Sequence, residues 1–137
     1  MNEKRVVMTH GAPTPSGPYS QAIVANGFVF VAGQRPQDPH SGELAAGITA
    51  QTRQCLGNLK AILEAAGSSL DLIVNTHVYL SDIADFAAMN EVYREMIPAP
   101  FPTRTTIAAQ LRGILVEIEA IAVLPQDGAT STDAVAR

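Results

Sequence analysis

The 137-residue chain reads as one α+β domain, a mixed sheet of about six strands with two helices on one face. Three observations lead there. Residues 20–34, SQAIVANGFVFVAGQ, form two β-rich runs around Asn26-Gly27, a pair favoured in two-residue hairpins because both residues accept positive φ. Apolar residues then recur at steps of three and four over 48–66 and again to about Met96, the period of helices buried on one side. The last segment, ILVEIEAIAV at 114–123, returns to a strand: Ile114, Val116, Ile118, Ala120 and Ala122 share one face, and Glu117 and Glu119 share the other.

In order, VVMTH (6–10) is a first short strand, ended by the turn-rich GAPTPSGP. The hairpin follows and is closed by the loop RPQDPHSGEL. In the first helix Ile48, Cys55, Leu59, Ile62, Leu63 and Ala66 form the buried stripe, with Thr49 as its expected cap and Gly67 at the C′ position. Cys55 on that stripe reads as a core thiol. LIVNTHVYL (72–80) is a strand, and Ser81-Asp82 opens a second helix whose expected inward stripe is Ile83, Phe86, Ala87, Asn90, Tyr93 and Ile97. PAPFP breaks it, TRTTIAA begins a strand, and a turn at LRG leads into the strand of the two glutamates. The domain spans 1–124, and 125–137 lose apolar periodicity and read as a frayed tail.

Two helices cover only one face of such a sheet, yet FVFVA is apolar on both faces and the last strand nearly so. Self-association is the economical way to bury the second face, and it predicts a homo-oligomer with sites between subunits.

The composition, 47% apolar and 16% charged, excludes a disordered chain. A net charge of −4 with only scattered Lys and Arg argues against nucleic-acid binding. A single cysteine allows no intrachain disulfide and no cysteine-based zinc site. No apolar run approaches membrane-spanning length and MNEKRVVMTHG lacks a signal-like core, so a cytoplasmic protein without a membrane partner is expected. His10, His40 and His77 have no metal-ligand spacing and read as surface or core histidines.

GxGxxG, P-loop, HExxH and GxSxG patterns are all missing. What remains is Arg104 in PFPTRTT and the carboxylates of VEIEA, on strands that look adjacent. A guanidinium fork suits a substrate carboxylate, and a carboxylate in an apolar cavity can act as a base toward water. Spacing alone favours the plainer alternative, a structural salt bridge from Arg104 to Glu117 or Glu119.

SGPYSQA (16–22), VAGQ (31–34), DFAAMNEVY (85–93), PFPTRTT (100–106) and VEIEAIAV (116–123) together resemble the RidA/YjgF family of enamine/imine deaminases, in order from about residue 8 to residue 124. The resemblance implies a chorismate-mutase-like fold, a homotrimer with sites between subunits, and hydrolysis of 2-imino acids to 2-keto acids and ammonia without metal or organic cofactor. By position it makes Arg104 the holder of the substrate carboxylate and Glu117 the residue that handles water. Tyr19 lines the cavity, and the backbone of Gly33 approaches substrate. Asn90 is either a site residue or a helix-packing residue. Glu119, about 7 Å from Glu117 along the strand, reads as structural, with a partner across the sheet or subunit boundary.

The sequence departs from the family pattern at several places. Thr106 stands where a cysteine is common, so a backbone contact to substrate survives but a thiol does not. Ala32 replaces a frequent serine, and the turn before Glu117 is about two residues short by comparison with familiar members. Arg35 replaces an apolar residue and reads as a surface arginine, with a second acidic group on the substrate as its functional alternative. Other readings are a pathway-specific deaminase for an aminoacrylate-type intermediate and a non-catalytic module binding a small carboxylate. The ribonuclease and holdase activities attached to the wider family fit poorly with so acidic a chain.

Overall fold

In the computed structural model, which describes residues 3–126, Asn26 and Gly27 both have positive φ, 55° and 80°, as the hairpin requires. They join Ala22–Ala25 (β2) to Phe28–Gln34 (β3), and Arg5–Val7 (β1) pairs with the far edge of β2. The first helix, α1, runs Ile48–Ala66 as its periodicity predicts. Thr49 is not its cap, however. Gly47, at φ 88°, turns the chain into the helix and no side chain caps it. At the other end Gly67 adopts φ 92° and its N–H returns to Glu64 O at 3.1 Å.

Ile73–Leu80 (β4) leads to Asp82, whose Oδ1 accepts the Ala84 N–H at 2.9 Å and starts a 3₁₀ turn, Ile83–Asp85. The helix proper, α2, is Phe86–Met96. Because the chain enters α2 through that tighter turn, the helix phase differs from the expected one. Met89, Val92, Tyr93 and Ile97 are buried, while Ile83 and Phe86 stay exposed and Asn90 only half-buried.

Thr103–Ala108 (β5) and Val116–Val123 (β6) complete a six-stranded sheet in the order β1-β2-β3-β6-β4-β5. The expectation that β5 and β6 are neighbours is therefore wrong. The α2 crossover lays β5 parallel to β4, and β6 enters between β3 and β4, antiparallel to both. A parallel pairing needs a crossover helix, and α2 supplies one. The 111–115 segment does not form a hairpin turn but carries the chain past β4.

Both helices lie on one face, packed on each other and on the sheet. Leu56, Leu59, Ile62 and Leu63 of α1 meet Val29, Val78, Leu80, Val116 and Ile118 in the core. The other face is uncovered by any described residue. It presents Val6, Phe28 and Phe30 at 60%, 40% and 43% exposure, beside Ile121 and Val123. So wide an apolar surface is unusual on a monomer. No helix among the described residues is long and apolar enough to cross a membrane. Pro125 and Gln126 are the only described residues of the expected tail, and 127–137 lie outside the described residues.

One buried polar residue organises the loop before β2. Gln21 Oε1 accepts the Thr9 N–H at 2.7 Å, and its Nε2 donates to the carbonyls of Thr9, Ala12 and Pro13 at 3.0, 3.3 and 3.0 Å. Gln21→Leu leaves those backbone groups without partners and should lower the unfolding free energy by about 1–3 kcal/mol in urea titration. An unchanged midpoint would contradict this account of the loop.

Candidate functional site

The pleat of β6 buries Val116, Ile118, Ala120 and Ala122 and sends Glu117 and Glu119 to the uncovered face, as the alternation predicts. Their surroundings separate their roles. Glu119 Oε2 lies 3.1 Å from His77 Nδ1, and its Oε1 accepts the Tyr79 hydroxyl at 3.1 Å. It is held by two neighbours on β4. Tyr79 titrates above its usual value, through burial and through its bond to that carboxylate.

Glu117 makes no side-chain hydrogen bond or ion pair among the described residues and opens into a recess of about 370 Å³. Tyr19, Gly33, Arg35 and Arg112 share its walls. Gly33 is needed there for space, not for conformation. A Cβ at this position would sit 3.1 Å from Glu117 Cδ and 3.3 Å from Cγ, nearer still to a carboxylate oxygen. The pairing of β3 with β6 shifts register between Val31 and Gln34, around this glycine. Tyr19 leans into the recess with its hydroxyl accepting the Ser16 N–H at 3.1 Å. Hydrogen bonds with Ser16, first of the side chain and then of the backbone, hold the phenol below its usual value.

Helix α1 fixes this corner from behind. Cys55 Sγ donates to Gln34 O at 3.2 Å, Asn58 Nδ2 donates to Arg35 O and Gln37 O at 3.1 and 3.0 Å, and Gln51 Oε1 accepts the Leu115 N–H at 2.8 Å. Burial pushes the Cys55 thiol well up, consistent with an inert core cysteine.

Arg104 stands elsewhere. On β5 it is in register with Thr76, whose buried side chain faces the helices, so Arg104 lies on the helix side of the sheet. Its Cζ is 4.7 Å from the centroid of the Tyr93 ring and 5.5 Å from that of Phe86, both on α2. Asn90, Arg94, Phe101 and Pro102 join Tyr93 and Arg104 around a second recess of about 240 Å³. Tyr93 is fixed by its hydroxyl, 2.7 Å from Thr76 Oγ1, and burial raises its pKa. Thr106 is on the same face, and its buried Oγ1 has no hydrogen-bond partner among the described residues.

The six residues singled out by the sequence thus fall into two groups: Tyr19, Gly33 and Glu117 on one face, Asn90, Arg104 and Thr106 on the other. β4 lies between their strands, so β5 and β6 are about 9–10 Å apart. The salt bridge from Arg104 to Glu117 or Glu119 does not form, because the side chains leave opposite faces of the sheet. None of the three ion pairs among the described residues involves Arg104. Sequence reasoning missed Arg112, which reaches the Glu117 recess only through the strand order, and Phe86 and Tyr93 as the aromatic seat of Arg104. Their spacing with Asn90, at steps of four, three and seven, was the available signal.

Gly33→Ala should push the Glu117 carboxylate out of its place in a crystal structure of the variant and lower the folding free energy by about 1–3 kcal/mol. An unmoved carboxylate with no loss of stability would contradict the space argument.

Comparison with known proteins agrees with this arrangement of elements. The family model described as endoribonuclease L-PSP matches residues 9–124. A RutC family protein of Pyrococcus horikoshii is 52% identical over 122 residues, covering 87% of this chain and 97% of that protein. The human 2-iminobutanoate/2-iminopropanoate deaminase is 40% identical over 123 residues, covering 88% of this chain and 90% of that protein. Among solved structures, E. coli TdcF with bound serine superposes with a TM-score of 0.84 at 38% identity, covering 88% of this chain and 99% of that one. RidA of the Antarctic bacterium Psychrobacter gives 0.84 at 41% identity, with the same coverage. The chain belongs to the endoribonuclease L-PSP family, the family of RidA and YjgF.

Proposed function

We propose that this protein is a hydrolytic deaminase of reactive 2-imino acids and their enamine tautomers, acting in the cytoplasm as a homotrimer with its sites between copies. The observation that carries the reading is the pair of half-sites. Among the described residues, an arginine without an acidic partner lies on one face, and a carboxylate without a partner lies in a recess on the other. Neither half is a catalytic centre alone, and one chain cannot bring them together. The exposed apolar face beside Glu117 is suited to burial against another copy, which would bring the Glu117 recess of one chain toward the Arg104 recess of the next. That a human relative 40% identical is named as a 2-iminobutanoate/2-iminopropanoate deaminase supports the chemistry.

In this mechanism Arg104 grips the substrate carboxylate through two charge-assisted hydrogen bonds, its plane held by the rings of Tyr93 and Phe86. Asn90 and the Thr106 backbone complete that end. Glu117 takes a proton from water as its oxygen adds to the imine carbon. The same carboxyl passes that proton to nitrogen to give the carbinolamine. It then takes the proton of the new hydroxyl and delivers it to nitrogen as the C=O forms and the C–N bond breaks, so that ammonia and the 2-keto acid leave. Gly33 gives substrate access beside Glu117, and Tyr19 closes the cavity. The imine is already reactive in water, so positioning and general acid–base help, worth about 10²–10⁴-fold, are sufficient and no metal or cofactor is required.

A binding-only role for the same cleft has one specific support, the serine bound in the TdcF structure. Turnover distinguishes the two. The protein should accelerate loss of 2-iminobutanoate generated by an amino-acid oxidase, followed by semicarbazone trapping. Arg104→Ala should lower that activity by about a hundredfold or more, and Glu117→Gln should reduce kcat far more than it weakens 2-keto acid binding. Tight keto-acid binding without turnover in the unaltered protein would favour the binding module. Full activity of Arg104→Ala would remove Arg104 from the site.

A further inference from the structure

The Glu117 recess holds more positive charge than the proposed reaction uses. Arg35 and Arg112 line it together with Glu117, two guanidinium groups against one carboxylate, in a chain whose net charge is −4. Neither arginine takes part in any of the three ion pairs among the described residues. Nor is Arg35 a loosely waving surface group. Its guanidinium donates to Arg112 O at 3.2 Å, and its own carbonyl accepts from the buried Asn58 side chain at 3.1 Å. Asn58 is only 1% exposed, so the backbone of Arg35 is pinned from the core while its tip is pinned to the turn that carries Arg112. Two guanidinium groups against one carboxylate leave a surplus of positive charge at the recess, and an anionic ligand group relieves it.

With the α-carboxylate of the substrate at Arg104 of a second copy, Arg35 and Arg112 are left for the other end of the molecule. We infer that the preferred substrates are 2-imino acids whose side chain ends in a second carboxylate, with Arg35 and Arg112 recognising that group. The inference rests on the deaminase reading and adds the substrate class to it. The chemistry is unchanged: water adds to the C=N carbon, the C–N bond breaks, ammonia leaves, and a 2-keto dicarboxylate is formed. The side-chain carboxylate takes no part in bond making. It is bound bidentately by a preorganised fork, which is why arginine at 35 is not equivalent to an apolar residue there.

The test compares two ligands of equal chain length, 2-oxoglutarate and 2-oxopentanoate, by calorimetric titration of the full chain. 2-Oxoglutarate should bind about tenfold more tightly or better, and the gap should collapse in Arg35→Met. It should also shrink in Arg112→Gln, which keeps the carbonyl that anchors Arg35 and so guards against a folding defect in the first variant. The corresponding imines, made by oxidation of glutamate and norvaline, should show the same order in kcat/KM. Equal binding of the two keto acids, or a gap that survives both substitutions together, would overturn the inference. If neither imine is turned over, the deaminase reading fails while the binding gap still decides for or against Arg35 and Arg112.

Discussion

Val116, Ile118, Ala120 and Ala122 are almost wholly withdrawn from solvent beneath the helices, and the pleat then sends Glu117, Glu119, Ile121 and Val123 the other way. With β6 inserted between β3 and β4, this alternation is pinned on both edges and cannot slip by one residue without burying two carboxylates. The position of Glu117 against Gly33 follows from it, as does the position of Glu119 against His77 and Tyr79. So does the separation from Arg104, since β6 occupies the place beside β4 that a β5–β6 hairpin would have filled.

The same constraint explains why the two glutamates differ. Each leaves the same face of the same strand, but β4 offers Glu119 a histidine and a phenol, while the displaced β3 backbone offers Glu117 only a glycine and open space. A carboxylate satisfied by neighbours is a structural element. One left facing a recess with two cations and a tyrosine is available for a ligand. Polar residues on the inner side of α1, Gln51, Cys55 and Asn58, hold the backbone at the exit of β3 and the entry of β6, so a core helix sets the shape of a cleft on the opposite face. Buried polar groups of this kind are costly unless fully bonded, and here each has a backbone partner.

Much of this was legible in the residues. Asn26-Gly27 specified the hairpin, the 48–66 periodicity gave α1 to the residue, and the VEIEAIAV alternation gave both the buried face and the shared direction of the glutamates. The surplus of apolar side chains on FVFVA pointed to an uncovered face, where Phe28 and Phe30 are exposed. Strand order was not legible, because local patterns carry no information about which strands pair across a long separation. The error that placed β5 beside β6 therefore carried with it the false expectation of an Arg104 salt bridge. The phase of α2 was lost to a 3₁₀ turn that sequence periodicity does not register. The grouping of Tyr19, Gly33 and Glu117 against Asn90, Arg104 and Thr106 came from the family resemblance only as a set. Their division between two faces needed the fold.

The working site we propose is assembled from the Glu117 face of one copy and the Arg104 face of another. It is tested most directly by mixing two inactive proteins, Arg104→Ala and Glu117→Gln, unfolding them together and refolding them. Random assembly leaves roughly one inter-subunit site in four with both groups intact, so imine hydrolysis should return to about a quarter of the wild-type rate. A mixture no more active than the two variants measured separately would contradict the account.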